Sequence, residues 1–169
     1  IRVKAYGSEK GVQDISLVTG RVFYNPITEW VYEFPTYVQT VNYEAFTVNA
    51  KDGSVFTVDP TLSIRVIPGN SPAIFSKYRK NLKEILTYTI SNHIKDVYRI
   101  EFNKFPTDSI ISRREVFENG VQDKMAAFLE KEGFALEQLT SGIGYPASIT
   151  AAIDAKNAAI QKAQQAENE

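Results

Sequence analysis

The sequence contains no cysteine and only one histidine, one methionine and one tryptophan among its 169 residues. Without cysteine there can be no disulfide, no thiolate metal site and no thiol nucleophile. With His93 as the only histidine, neither a histidine triad nor a metal site built on several imidazoles is open to this chain. Basic charge is not in excess either. Nineteen Lys and Arg face twenty Asp and Glu, the net charge is −1 and the isoelectric point is about 6.0, so nothing marks a nucleic-acid footprint. No signal peptide is recognisable, and no apolar run reaches the roughly 18 residues of a bilayer-spanning helix.

Catalytic signatures are missing as well. There is no Gly-x-Ser-x-Gly elbow and no phosphate-cradling glycine loop with its lysine. Ser141 to Gly144 reads as a loop before a strand end. Asp52 reads as a turn residue. Glu115 and Glu118, one helical turn apart, read as a solvated face, and His93 reads as a structural side chain at the border of a buried stripe. The expectation is a non-enzyme with no catalytic residue, no cofactor and no metal. The chain opens with IRVKAYGSEKGV, without Met and already strand-like, and ends as abruptly, which reads as a fragment of a longer protein.

What is present is an ordinary globular composition, 43% hydrophobic with ten Phe and nine Tyr, and a clear order of periods. Residues 1 to about 66 are β-rich. GRVFYNPITEWVYEFP predicts a hairpin turning at Asn25-Pro26, with Trp30, Tyr32 and Phe34 on one face of its second arm. FTVNAKDGSVFTVDPTLSIRV predicts a second hairpin around Asp52-Gly53. In its second arm Phe56, Val58, Leu62, Ile64 and Val66 share one face, and Thr57, Thr61, Ser63 and Arg65 share the other. Pro60, which lacks an N–H, predicts an edge or a bulge.

The period then changes to helical. Asn70 or Ser71 caps, Pro72 fits a first turn, and Phe75, Tyr78, Leu82, Ile85, Leu86, Ile90, Ile94 and Val97 form one stripe, with a break near Arg79 to Asn81. FNKFPTDS is a loop. A second helix is predicted over 107–132, with Ile110, Phe117, Val121, Phe128 and Leu129 inward and Gly133 as its left-handed terminator. FALEQLTSGIGYP returns to a short strand, and from Ala147 onward the residues are strong helix formers. The fold class expected is α+β: an antiparallel sheet with helices packed on one side, followed by the start of a long C-terminal coiled-coil helix. The units expected are 1–50, 51–146 and 147–169.

Two surfaces suggest interactions. Ala152, Ala155, Ala159 and Ala166, with Ile153 and Ile160 beside them, make a thin stripe suited to close approach of a second helix; the plainer alternative is a solvated helix. Phe23, Tyr24, Ile27 and Trp30 cluster in the FYNPITEW turn, as residues at a membrane interface do. The plainer alternative there is sheet core, which the alternation favours for Trp30.

Several segments, in this order, carry a family resemblance: Gly11-Val12, Gly20-Arg21-Val22, the aromatic stretch 26–35, Lys51 to Gly53, Arg65-Val66, the helix Tyr78 to Tyr98, Ser112 to Glu115, the EGF at 132–134 and YPASITAAIDAKNAAIQKAQQAE. The last holds a P-x-x-I-x-x-A-I-x-x-K junction running into an Ala/Gln/Lys/Glu helix. In these features the chain resembles the SPFH or band 7 family of stomatins, prohibitins and flotillins. It departs from the family pattern at TISNHIKDVYR and at GIGYP, which leaves the subfamily open. The resemblance implies a membrane-associated scaffold, anchored through a segment outside this sequence and assembling with copies of itself into rings or cages that organise membrane proteins or lipids. The alternative it implies is an adaptor or regulator of a membrane-bound AAA protease, without large self-assembly.

Overall fold

The computed structural model describes residues 1–13 and 21–167. Gly20, part of one quoted motif, lies outside them, as does the side chain of Ala166. The chain forms two antiparallel sheets with helices packed against them, in agreement with the α+β expectation.

The first sheet is small. β1 (Arg2–Lys4) lies between β2 (Gly11–Gln13) and β3 (Glu29–Val31), with Val3 opposite both Val12 and Trp30. The predicted hairpin across 20–35 is therefore corrected. Its turn exists, but residues 21–25 are not a strand, and β3 pairs with β1 instead. A two-residue period reports a strand and is silent about its partner.

The second sheet is built on β6 (Val55–Val66), whose inward residues Phe56, Val58, Leu62, Ile64 and Val66 are all buried. β7 (Phe134–Gly144) runs along one side of it, while β5 (Phe46–Asn49) and β4 (Gln39–Asn42) lie end to end along the other. The β5–β6 hairpin turns through Lys51, Asp52 and Gly53, with the Gly53 N–H on the Ala50 carbonyl at 3.0 Å and Gly53 at φ 85°. Glycine adopts that left-handed conformation without strain.

Pro60 is in neither an edge strand nor a bulge, contrary to the sequence reading; it is buried in the central strand. Its carbonyl accepts the Tyr43 N–H at 3.1 Å. In an antiparallel strand the N and O of one residue share a side, so the missing donor falls in the gap between β5 and β4, where no ladder bond is lost. The register shift lies instead between Ser63 and Ile64, opposite Glu137. Ser141 to Gly144 is also corrected from loop to strand. Ser141 is buried against Tyr98, and a Cβ on Gly142 would meet the Asp59 carbonyl oxygen at 3.0 Å, so small residues are what allow pairing there.

The helical layer begins with α1 (Ser71–Tyr78), which ends where Arg79 turns left-handed at φ 53°. Asn81 starts α2 (Leu82–Glu84) with a capping box: its side chain accepts the Glu84 N–H at 2.9 Å, and the Glu84 carboxylate accepts the Asn81 N–H at 3.4 Å. The predicted break at 79–81 is thus present. The chain continues through a π-helical segment, Ile85–Ile90, into α3 (Ser91–Phe102). The second predicted helix is interrupted at Arg113 into α4 (Thr107–Ser112) and α5 (Arg114–Lys131). Phe102 stacks edge-on to Phe117 at 4.5 Å and tilts against Phe56 at 5.3 Å, joining α3, α5 and β6 in one core. Gly133, at φ 89°, ends the α5 turn as predicted and gives its carbonyl to the Ile67 N–H at 3.0 Å. α6 (Ala147–Glu167) follows β7.

Candidate functional site

The aromatic turn is closed by its own backbone. The Asn25 carbonyl accepts the N–H groups of Thr28 (3.2 Å) and Glu29 (2.9 Å), its side-chain oxygen accepts that of Ile27 (3.0 Å), and Glu29 returns a carboxylate to the Asn25 N–H (3.1 Å). An Asx turn of this kind fixes the loop without any help from its apolar side chains. Those side chains are left outside: Phe23 is 89% exposed, Ile27 83%, Trp30 55% and Tyr24 49%. The core alternative for Trp30 is corrected. Its alternation partners Tyr32 and Phe34 turn inward onto Phe75, at ring distances of 4.3 and 6.4 Å, while Trp30 faces out of the small sheet. Tyr6, also strongly exposed, escaped the sequence reading because it stands alone in a polar stretch.

The tail helix is packed against the domain at its root. Ile149 packs against the core, and the Ile149 and Thr150 N–H groups bond the Pro146 carbonyl at 2.9 and 3.0 Å. Beyond that turn Ala152, Ala155, Ala159 and Ile160 are exposed, and Ile153 is half-buried. Alanine buries little area, so this helix gains almost nothing from its own domain.

Most of the isolated polar residues have partners within the fold. Asp52 is more than a turn residue. Its carboxylate accepts the Thr107 backbone N–H (2.9 Å) and hydroxyl (3.0 Å) and the Ser54 N–H (3.1 Å), so the hairpin tip caps the start of α4. The Thr107 backbone bond, followed by the others, holds its pKa down to about 2. His93 stacks on Phe128 at 3.6 Å, and its pKa is lowered by desolvation, against the pull of Asp96 and Glu132. Burial disfavours a charged Glu132, yet hydrogen bonds from Lys77 and Tyr78 outweigh it and hold its carboxyl below the usual range. Glu101, almost buried, is paired with Lys104 (2.8 Å) and Lys124. Glu118 pairs with Arg114 at 2.8 Å, whereas Glu115 is exposed.

Among the described residues no cluster of three or more His, Asp or Glu side chains could hold a metal, and no helix is long and apolar enough to cross a membrane. Among the described residues, surfaces open to interaction include the aromatic turn, the flank of α6 and the outer face of the large sheet. On that face Thr40 bonds Ser63 (2.9 Å), Thr61 bonds Asn42 (3.0 Å) and Arg65 pairs with Glu137. A model of the SPFH domain / Band 7 family matches residues 2–169. Among curated proteins, none matches this chain.

Proposed function

Because the chain belongs to the SPFH domain / Band 7 family, whose members are in general membrane-associated, non-enzymatic scaffolds, we propose that it is a scaffold domain that assembles with copies of itself into rings or cages at a membrane. The observation that carries the proposal is α6: a helix of 21 residues with Ala152, Ala155, Ala159 and Ile160 uncovered. An isolated helix of this kind is marginal in water. A second helix laid along the small side chains would stabilise both, and closure of a ring would multiply a weak contact. The exposed turn at Phe23, Tyr24, Ile27 and Trp30 supports a membrane contact in the same assembly, alongside an anchor outside this sequence.

Light scattering with electron microscopy in mild detergent tests the proposal. Ala159→Glu puts a charge into the stripe, and it is expected to lower the assembled mass while leaving the domain's melting temperature unchanged. Normal assembly of that variant would remove α6 from the interface. A second reading, an adaptor or regulator of a membrane-bound AAA protease, is favoured by the polar outer face carrying Thr57, Thr61, Ser63 and Arg65, which are exposed or half-buried. A monomeric or dimeric mass in the same measurement would shift the assignment to it.

A further inference from the structure

The charge of this chain is nearly balanced overall, but residues 77–83 read KYRKNLK, with four cations and no acid. They occupy the corner where α1 gives way to α2. Lys77 is committed to the Glu132 carboxylate at 2.6 and 2.5 Å. The other three cations are exposed and form no ion pair with any described residue. Lys80 rests only over the exposed Tyr88 ring, 5.7 Å from its centroid. The nearest acid in the sequence, Glu84, is turned back into the capping box. Arg79 also stands out by its backbone: it is the one non-glycine among the described residues with positive φ. A glycine would sit there with less strain, and a charged side chain kept at such a cost points to a use for the charge.

The corner adjoins the aromatic turn's own strand. The Arg79 N–H bonds the carbonyl of Phe75, whose ring lies 4.3 Å from that of Tyr32 just beyond β3. Lys83 and Glu33 both line one groove of about 420 Å³. We propose that Arg79, Lys80 and Lys83 bind anionic lipid headgroups at the bilayer surface that the aromatic turn contacts; the inference rests on the membrane reading above. Guanidinium and ammonium groups pair with phosphate and carboxylate oxygens, and a basic cluster together with shallow apolar insertion gives the two signals that stable surface binding needs. An acidic protein partner would satisfy the charges but leave Phe23, Ile27 and Trp30 bare, so the observations favour the lipid surface.

The test is flotation of the chain with vesicles of phosphatidylcholine alone and of phosphatidylcholine with phosphatidylserine. Tighter binding to the mixed vesicles is expected, weakening as salt rises. Replacing Arg79, Lys80 and Lys83 together by Ala should weaken it on the order of a hundredfold, about fivefold per cation, and leave binding to neutral vesicles unchanged. Arg79→Gly alone should lose its share while melting no lower than the wild type, which separates lost charge from lost fold. Undiminished binding of the triple variant to mixed vesicles would overturn the assignment. Equal binding of the wild type to both vesicles would overturn it while sparing the membrane reading, and binding to neither would overturn both. Corner-dependent retention on a polyglutamate resin, without vesicle binding, would overturn it in favour of an acidic protein.

Discussion

Replacing Gly133 with Ala tests how the α5–β7 junction is built. Gly133 holds φ at 89°, and its carbonyl is pinned by the Ile67 N–H at 3.0 Å. An L side chain in that region costs roughly 1–2 kcal/mol. A Cβ there would also meet Asn70 Cβ and Ile74 Cγ1 at 3.1 Å and Ile74 Cδ1 at 3.2 Å. Ile74 is itself 2% exposed and cannot swing aside, so overpacking adds about 1–3 kcal/mol. The stiffer unfolded chain returns roughly 0.4–1 kcal/mol. The net loss is about 2–4 kcal/mol, or roughly 5–15 °C in a domain of this size. Gly53 is the internal control. It has a similar φ of 85° but open space where its Cβ would go, so Gly53→Ala should cost only about 1 kcal/mol. Denaturant midpoints of the two variants, at unchanged m-value, measure the difference. Equal losses, or a larger loss at Gly53, would refute the claim that crowding at Ile74 decides the cost.

Two further outcomes follow from the polar contacts. Because the Asp52 pKa is depressed in the fold, its contribution is fully present above the unfolded carboxylate pKa and is lost as pH falls through about 2. Asp52→Asn should therefore flatten the acid limb of the stability–pH curve, read by denaturation at stepped pH; an unchanged limb would break the link to Thr107. Tyr98, pushed up to about 12 chiefly by burial, shares a buried hydrogen bond with Ser141. Tyr98→Phe should cost about 1–3 kcal/mol by stranding the serine hydroxyl, and adding Ser141→Ala should cost less than the two losses summed. Strict additivity in that double-mutant cycle would show the pair to be uncoupled.

What could be read from the sequence was what depends on near neighbours. Asp52-Gly53, the break at Arg79 to Asn81, the left-handed Gly133 and the inward face of β6 are written in a few adjacent residues, and the structure has them all. What could not be read depends on partners distant in the chain. Pro60 is allowed in a central strand because β5 stops and β4 starts on either side of it. Ser141, Gly142 and Gly144 look like loop residues until Tyr98, Asp59 and Thr57 are placed opposite them. Trp30 parted from its alternation partners Tyr32 and Phe34, because the period does not say where a three-residue strand ends or which of its faces will be covered. For the candidate surfaces, the composition of the aromatic turn was visible and its exposure was not. The basic corner was visible only as a run of letters until Glu132 and Glu84 were seen to leave three of its charges unmatched.

The π-helical segment Ile85–Ile90 has a consequence for phase. Leu82, Leu86, Ile90, Ile94, Tyr98 and Phe102 are all buried and follow one another at intervals of four. In a regular α-helix four residues turn through about 400°, so such a series drifts by about 40° a step and by roughly 200° over its whole length. Phe102 would then point away from the side that Leu82 faces. Wider turns, closed from i to i+5, rotate less per residue and take back part of that drift. The hydroxyl of Tyr43 meets the Leu86 carbonyl at 3.0 Å within this stretch, holding the slack winding against β6's neighbours. One unbroken rod can thus keep a single apolar edge on the sheet from α2 to the end of α3, where uniform winding would have forced the chain to stop and be aimed afresh.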